Sequence, residues 1–288
     1  PGLPNWRPRG GQLTIDREPG TEFSYSGEGF VYLQRAVMAL TGETLDQLAR
    51  RLVFEPLGMV SSSYLWQDRF EGVVAFPHSS DGEVLEKQRP GPGRGNAAAS
   101  LHTTATDYAR FLTAVMNGTG LSDSTAAAML TPQIQVDSGL AWGLGIGLED
   151  TDQGRAFWHW GDNTGYKAYA IAYPEHRVGV VWFTNSENGH SILGGMLAAT
   201  VGGEHPAVQW LGYEAYDSPR RVVREALEGV ALEILEELGM RVLLPEARGI
   251  FRSAGARVED DMVFIGREIV AAALETAPRS IRCFSFLS

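Results

Sequence analysis

The sequence predicts an α+β fold in which an antiparallel sheet is flanked by helices and followed by a helical C-terminal appendage. Three observations support this prediction. Apolar residues recur at helical spacing in the first part of the chain, short β-type segments crowd residues 140–184, and helical spacing returns afterwards. Strands this close together leave no room for intervening helices, so they must pair as an antiparallel meander.

The first part of the chain is predicted to contain four helices after a loop over residues 1–22. The clearest one follows Thr104, a candidate N-cap, because apolar residues then recur on one helical face as far as Met116. Residues 61–100 have weak periodicity and many Gly and Pro, which predicts a long surface excursion. The predicted helices cover residues 28–40, 44–54, 105–117 and 122–130.

Four short segments of β-type composition, separated by Gly and Asn turns, are predicted to form the sheet. They cover residues 140–149, 155–160, 166–173 and 178–184. Helices are predicted again over residues 190–201, 219–238 and 262–275, and the last ten residues fit no pattern and are expected to be disordered. We therefore divide the chain into a main domain, residues 1–216, and a helical appendage, residues 217–288.

Composition excludes several classes of protein. The 288-residue chain has a net charge of -11, so it lacks the basic face of a nucleic-acid binder. It has no run of apolar residues long enough for a membrane span, and Cys283 is its single cysteine, so no intrachain disulfide can form. No two of the six histidines have the i, i+4 spacing of zinc enzymes. Gly143–Gly147 lacks the strand–turn–helix context of a dinucleotide site, so we expect neither a metal nor a cofactor.

Two familiar serine-hydrolase motifs are missing from the sequence. No Gly-x-Ser-x-Gly segment occurs, which excludes the nucleophile elbow of the α/β-hydrolases. Ser-x-x-Lys is missing as well, because Val84 and Thr164 stand three residues before the two lysines, Lys87 and Lys167. A catalytic serine is therefore not evident from local motifs.

Two other segments place polar groups where a predicted element begins or ends. Tyr25-Ser26-Gly27 precedes a helix, so the Tyr25 phenol can face a cleft beside that helix. His159-Trp160-Gly161-Asp162 ends a strand, so the His159 imidazole and the following N–H groups can face a ligand. Each segment also has a purely structural interpretation, as a tyrosine that packs its ring or as a turn clamped by aromatic side chains.

In their order and spacing, the two segments resemble motifs of the serine β-lactamase-like superfamily, which includes class C β-lactamases, D-alanyl-D-alanine carboxypeptidases and related esterases. There, a Ser-x-x-Lys helix is followed by Tyr-x-Asn and then by Lys-Thr-Gly or His-x-Gly. Tyr25-Ser26-Gly27 resembles the second motif, and His159-Trp160-Gly161 resembles the third. The resemblance covers residues 1–216. Further typical segments are Pro1–Pro4, Glu55–Met59, Leu101–Asp107 and Phe183–Ser186.

This resemblance implies acyl transfer, with Tyr25 as the proton shuttle. His159 would stand where other members carry a lysine, lining the site and orienting the substrate. The Asp162 N–H would be one oxyanion donor, and Gly161 would let the backbone approach the substrate. The expected oxyanion and substrate-binding residues are Trp160, Gly161, Asp162 and Gly27. The expected partners are small esters, D-amino-acid peptides or β-lactams, and the resemblance favours a periplasmic or secreted location.

The sequence departs from the superfamily pattern in two ways. Gly27 replaces the motif's Asn, which favours an esterase or another hydrolase over a dedicated β-lactamase. The Ser-x-x-Lys segment is missing, and the motif order places it upstream of Pro1 together with at least one strand. We therefore expect an incomplete, inactive site and an exposed sheet edge.

Three hypotheses follow for the function of the chain. The first is a penicillin-recognising serine hydrolase without its nucleophile segment. The second is a non-catalytic module that binds the same ligands on the same fold. The third is an interaction protein that acts through the helices after Pro219.

Overall fold

The structure is a computed structural model that describes residues 15, 17–219, 229–242 and 244–276. The chain divides into two compact units, Pro1–Tyr216 and Asp217–Ser288, and each unit is described by itself. The predicted disorder after residue 278 lies outside the described residues, as do Pro1–Pro4 and Cys283.

Five helices of the first unit form where the apolar spacing predicts them, and a sixth, Pro206–Leu211, was not predicted. Ser26 caps α1 by accepting a hydrogen bond from the Gly29 N–H at 2.9 Å, and Thr104 caps α3 by accepting one from the Asp107 N–H at 3.2 Å. The predicted helix over 44–54 is α-helical only in its first half and ends in a π-helical turn, Arg50–Phe54. The helices are α1 Gly27–Thr41, α2 Leu45–Ala49, α3 Ala105–Asn117, α4 Asp123–Met129, α5 Leu193–Thr200 and α6 Pro206–Leu211. The 3-10 turns are Asp68–Phe70 and Glu187–Ile192.

Six antiparallel strands form one sheet in sequential order, which confirms the predicted meander. The strands are β1 Ile134–Asp137, β2 Leu140–Trp142, β3 Gly147–Thr151, β4 Gly154–Asn163, β5 Tyr166–Tyr173 and β6 Val178–Thr184. The core lies on both faces of this sheet. Trp158 and Tyr169 pack against α5 and α6 on one face, and Phe157 and Leu148 pack near α3 on the other. The helices therefore flank the sheet, as expected for the α+β class.

The segment predicted as one strand, residues 140–149, is two strands joined by a turn. Gly145, in the turn between β2 and β3, has a φ of 76°, a left-handed conformation that glycine adopts without strain. Gly147 leaves room for the Trp158 ring, because an added Cβ there would lie 2.5 Å from Cε2 of Trp158. Apolar periodicity alone does not show that Gly145 forms a turn while Gly147 packs against Trp158.

Two apolar surfaces of the first unit are exposed. The strand β6 ends the sheet, and no described strand pairs with its outer edge, where Val178 is 47% exposed. The apolar side of α1 is also exposed, since Leu33 is 58% and Leu40 is 87% accessible to solvent. Within the described residues, β6 is therefore an open edge of the sheet.

The second unit contains a small sheet as well as helices. Its strands are β7 Met240–Arg241, β8 Arg257–Glu259 and β9 Met262–Phe264, in the order β7-β9-β8. Helical residues 229–233 run into a π-helical turn, Ile234–Leu238, and further helices cover Pro245–Ser253 and Arg267–Thr276. The predicted helix over 262–275 is wrong for its first residues, because they pair as β9. The appendage is therefore only partly helical.

No helix in the described parts of the chain has both the length and the hydropathy needed to cross a membrane. Nor do the described residues contain a group of three or more His, Cys, Asp or Glu side chains that could hold a metal ion.

Candidate active site

The end of β4 has an open edge beside it. The pairing of β3 with β4 stops at Gly147 and Trp158, whereas the pairing of β4 with β5 continues to Asn163 and Tyr166. Residues 159–163 therefore have a described strand neighbour on one side only. This open edge leaves backbone groups of β4 without a described strand partner, and it contains the predicted His159-Trp160-Gly161-Asp162 segment.

Tyr25 lies against this open edge. Ser26, the N-cap residue of α1, has an extended backbone, and Tyr25 is the residue that precedes it. Its centroid is 4.5 Å from the Trp160 ring and 6.1 Å from the His159 ring, with Trp142 at 6.0 Å on another side. Two motifs that are distant in the sequence therefore meet in one half-buried aromatic group.

The Tyr25 hydroxyl stays protonated in this environment. Burial raises the pKa of the Tyr25 phenol above its ordinary value. Among the described residues, no hydrogen-bond partner of the hydroxyl is present, so no neighbouring group opposes this effect. The phenol can donate a proton at neutral pH, but it needs a nearby positive charge before it can accept one.

The His159 imidazole is neutral and has one nitrogen available. Its Nδ1 lies 2.8 Å from the carbonyl oxygen of Trp160. Because a carbonyl only accepts hydrogen bonds, Nδ1 carries the hydrogen and Nε2 carries the lone pair. Burial lowers the pKa of His159, which outweighs the opposing effect of the Trp160 carbonyl. The Nε2 atom can therefore accept a hydrogen bond from an N–H or hydroxyl group of a ligand.

An ionic cluster fixes the same end of β4 from the sheet. Lys167 pairs with Asp162 across the β4–β5 ladder, and its buried Nζ lies 2.7 Å from Oδ1 of Asp162. The Nζ also donates to the Asn163 carbonyl at 3.0 Å and to Glu187. Burial would raise the pKa of Asp162, but hydrogen bonds from Lys167 and Tyr213 outweigh it, so the pKa is lowered. The Asp162 carboxylate is therefore ionised and held in place.

Two aromatic side chains complete this ionic cluster. The Tyr213 hydroxyl donates to Oδ2 of Asp162 at 2.6 Å, and its ring stacks on His190 with centroids 4.2 Å apart. His190 Nε2 donates to the Gly161 carbonyl at 3.0 Å. Because the described peptide bonds are trans, the Asp162 N–H points in the opposite direction from the Gly161 carbonyl, which accepts the hydrogen bond from His190. The backbone at the candidate oxyanion position is thus anchored through both Gly161 and Asp162.

The predicted site residues separate into two groups. Tyr25, His159 and Trp160 are brought together at the open edge, and Gly27 is buried at the first position of α1. The Asp162 side chain instead belongs to the ionic cluster. Four members of the site region belong to no recognisable sequence motif, although Lys167 is one of only two lysines in the chain. These residues are Lys167, Glu187, His190 and Tyr213.

A loop from the middle of the chain borders the open edge. Asn163 Nδ2 donates to the Ala99 carbonyl at 3.2 Å. The loop is also held by α1, because Gln34 donates to the Gly95 carbonyl and accepts from the Ala97 N–H, both at 2.8 Å. The long excursion predicted over 61–100 thus contributes a border to the candidate site.

The C-terminal unit is similar to part of an unrelated enzyme family. A family model described as Trimethylamine methyltransferase (MTTB) matches residues 213–285. The proline betaine:corrinoid methyltransferase of Eubacterium limosum is 40% identical over 68 residues, which are 24% of this chain and 14% of that protein.

The first unit is similar to penicillin-binding proteins. Penicillin-binding protein 4 of Amycolatopsis lactamdurans is 28% identical over 188 residues, which are 59% of this chain and 49% of that protein. The crystal structure of a penicillin binding protein from Bacillus halodurans shares the fold, with a TM-score of 0.58 and 23% identity over 65% of this chain and 59% of that one. The chain spans about half the length of these relatives. The family model described as Beta-lactamase matches residues 6–222, and the chain therefore belongs to the β-lactamase family.

Proposed function

We propose that residues 1–216 are the C-terminal part of a penicillin-recognising serine hydrolase domain and form one side of its acyl-transfer site. The observation that carries this proposal is the meeting of Tyr25 with His159 and Trp160 at the open edge of β4. Membership of the β-lactamase family supports the reaction class. The C-terminal residues 217–288 form a separate domain in this proposal.

The proposed reaction assigns a role to each group at the open edge. A serine oxygen attacks the carbonyl carbon of the substrate and loses its proton, and negative charge develops on the carbonyl oxygen. When the carbonyl re-forms, the bond to the leaving alkoxide or amine breaks, and the leaving group takes up the proton. Tyr25 carries the proton, and the Asp162 N–H donates a hydrogen bond to the developing oxyanion. His159 orients the substrate by accepting a hydrogen bond at Nε2. The ionic cluster around Lys167 holds the Gly161–Asp162 peptide during the reaction.

The electrostatics of Tyr25 explain what else the reaction needs. Its raised pKa keeps the phenol protonated, so a cation must approach before Tyr25 can accept the serine proton. Lys167 is committed to two carboxylates and cannot serve. We propose that the lysine of a Ser-x-x-Lys segment outside these 288 residues supplies that charge. The chain alone is then inactive in acylation.

The proposed substrates are β-lactams, D-amino-acid peptides or small esters. The relative from Amycolatopsis lactamdurans is named for binding penicillin, which supports the first class. Gly27 offers no side-chain amide at the position where the family motif has Asn. An ester, which needs fewer amide contacts than a peptide, is therefore the substrate favoured for this site.

A non-catalytic binding module is the second candidate function. The observation that favours it is the pair of half-buried rings of Tyr25 and Trp160, whose centroids are 4.5 Å apart, while the Tyr25 phenol remains protonated. Aromatic side chains bind small ligands through large apolar contacts with little loss of conformational entropy. Such a site could hold the same ligands without turnover.

One experiment distinguishes the two functions. The 188-residue match permits a chimera. In it, the matching segment of this chain replaces the corresponding part of the Amycolatopsis lactamdurans protein. For a hydrolase, we expect penicillin to add one acyl group to the chimera by intact mass and to leave the 288-residue chain unmodified. Tyr25→Phe in the chimera should slow acylation by about 100-fold or more.

The control is Tyr32→Phe, since Tyr32 is 59% exposed on α1 and should leave the acylation rate unchanged. A folded chimera that quenches its tryptophan fluorescence with penicillin but never gains mass would support the binding module instead. Acylation of the unmodified 288-residue chain would contradict both the assigned roles and the proposed need for an external dyad.

A further inference from the structure

His190 is a buried histidine to which the proposed reaction gives no role of its own. It lies in the 3-10 turn Glu187–Ile192 and is 3% exposed. Its Nε2 is 3.0 Å from the Gly161 carbonyl oxygen, and because a carbonyl only accepts hydrogen bonds, Nε2 carries the hydrogen. In the neutral imidazole, Nδ1 then carries a lone pair, and this atom is buried without a hydrogen-bond partner among the described residues. The β4 backbone therefore selects a single neutral tautomer.

The surroundings of His190 favour this neutral form. Protonation would place a second N–H at Nδ1, in a buried position without an acceptor, and a buried unpaired donor is costly. Burial accordingly lowers the pKa of His190, and the charge of Lys167 acts in the same direction. The Asp162 carboxylate and the hydrogen bond to the Gly161 carbonyl oppose this effect without outweighing it.

The charged and titratable groups that face His190 are engaged with one another. Asp162 of β4 accepts hydrogen bonds from Lys167 of β5 and from Tyr213, which follows α6. The Tyr213 ring covers one face of the imidazole, with centroids 4.2 Å apart. On the turn of His190 itself, Glu187 is paired with Lys167, and α5, which follows this turn, has no ionisable side chain. Among the described residues, none offers Nδ1 an acceptor in hydrogen-bonding geometry.

The hydrogen bond from His190 acts on the peptide group that the proposed reaction uses. The Gly161 carbonyl and the Asp162 N–H belong to one planar unit, so a group that holds the carbonyl also orients the N–H. A hydrogen bond to the carbonyl also polarises this unit and strengthens the N–H as a donor. Loss of the bond from His190 would therefore weaken the Asp162 N–H as an oxyanion donor.

We propose that His190 is a positioning residue, which holds the Gly161–Asp162 peptide for oxyanion binding when its imidazole is neutral and releases it when the imidazole is protonated. Protonation favours release because the new N–H reaches an acceptor only if the ring leaves its buried position. The candidate site then weakens as pH falls through the lowered pKa of His190, below about 6.5. This inference rests on the proposed function for the role of the peptide, whereas the link between His190 and the peptide does not.

NMR spectroscopy of the 288-residue chain tests this link without any turnover. At about pH 7.5, the ring-nitrogen shifts of His190 should show a hydrogen on Nε2 and a lone pair on Nδ1. As pH falls to about 5, the Gly161 carbonyl-carbon and Asp162 amide-nitrogen resonances should move with the midpoint of the His190 ring, below about 6.5. The Asp162 carboxylate stays ionised in this range, because its own pKa is lowered.

His190→Gln separates the hydrogen bond from the titration. A glutamine amide offers an N–H donor to the Gly161 carbonyl but does not titrate, so the pH dependence of the Gly161 and Asp162 resonances should be lost. The matched control is His176→Gln. His176 Nε2 also bonds to a backbone carbonyl, that of Gln153 at 2.7 Å, but His176 is exposed. This variant should leave the pH dependence at Gly161 and Asp162 unchanged.

A hydrogen on Nδ1 of His190 at about pH 7.5 would overturn the proposal in the unmodified chain, whether or not His190→Gln folds. Gly161 and Asp162 resonances that stay constant while His190 titrates would overturn it as well. So would a pH dependence of these resonances that persists in a folded His190→Gln chain.

The consequence for the reaction is measured in a penicillin-binding chimera that contains residues 6–222, the family match. One pH unit below the His190 midpoint, acylation should be about 10-fold slower relative to the His190→Gln chimera, because about nine-tenths of the imidazole is then protonated. An equal pH dependence in both chimeras would overturn the proposed regulation. A chimera that never acylates would contradict the proposed function, and the NMR titration would still decide whether His190 controls the peptide.

Discussion

The two sides of the β4 terminus differ in chemistry. At the open edge, Tyr25 and His159 make ring contacts, and both pKa shifts keep these groups uncharged. On the sheet side, Lys167, Asp162 and Glu187 form an ionic cluster with nearly every polar atom in use. The charges that stabilise this region are therefore separate from the groups available to a ligand. Stability and ligand binding can therefore be tested by different substitutions.

The largest expected effect is on the ionic cluster. Lys167→Met leaves the carboxylates of Asp162 and Glu187 without their cation and the Asn163 carbonyl without its donor. We expect the free energy of unfolding in urea to fall by about 3 kcal/mol. The control is Arg155→Met, which removes an ion pair with Asp150 that is about half exposed and should cost less than about 0.5 kcal/mol. Equal losses would mean that the cluster contributes no more than a surface ion pair.

A second buried ion pair lies away from the β4 terminus, and its contribution to stability depends on pH. His205 Nδ1 lies 2.7 Å from Oε1 of Glu149, and its Nε2 lies 3.0 Å from the Gly202 carbonyl. Burial lowers the pKa of His205, but the hydrogen bond and charge of Glu149 outweigh it, so the pKa is raised above 6.5. The protonated imidazole therefore ties β3 to the start of α6, where the Ala207 N–H donates to the same carboxylate.

The His205–Glu149 pair and the Asp162–Lys167 pair should affect opposite ends of the profile of unfolding free energy against pH. A raised folded pKa means that the contribution of His205 is complete below about pH 6.5 and is lost as pH rises through the folded pKa. We expect a decline of about 1–2 kcal/mol there, measured by urea unfolding. Glu149→Gln should flatten this limb. The lowered pKa of Asp162 acts on the acid limb, where stability is lost as pH falls, and Glu149→Gln should leave that loss in place. A profile with no decline above pH 6.5 would contradict the assignment to His205.

The smallest expected effects come from two tyrosine hydroxyls. Tyr213→Phe removes the hydrogen bond to Asp162 and should cost about 1 kcal/mol of unfolding free energy. Tyr25→Phe should change that free energy by less than about 0.5 kcal/mol, because the hydroxyl has no hydrogen-bond partner among the described residues. A loss with Tyr25→Phe as large as with Tyr213→Phe would show that the Tyr25 hydroxyl is structural.

The sheet was predictable because its pattern is local. Strands such as Tyr166–Tyr173 are bounded by turn residues and are nearly continuous in apolar residues, which marks a buried strand in any context. The short strands of the C-terminal unit were missed because three residues cannot show a period. The apolar residues of Met262–Phe264 would suit a helix as well as a strand. Only the pairing of this segment with β7 and β8 decides its conformation.

The candidate site was predictable only in part for a related reason. Tyr25 and His159 follow short motifs with fixed order, so the resemblance could indicate both. Lys167 shares no motif with Asp162 and Glu187, and its role depends on the register that places it opposite Asp162. Register is a property of the folded sheet, and a shift by one residue would turn Lys167 to the other face.

Gly189 shows how closely the turn after β6 is tied to this region. An added Cβ at Gly189 would lie 2.8 Å from Cβ of Lys167 and would also overlap the Thr184 side chain. Any other amino acid would push the lysine away from the carboxylates that it joins. In evolutionary terms, position 189 is closed to drift for as long as Lys167 is kept. The turn and the ionic cluster are then inherited together, and loss of Lys167 alone would not free position 189, because the Thr184 side chain still occupies the space.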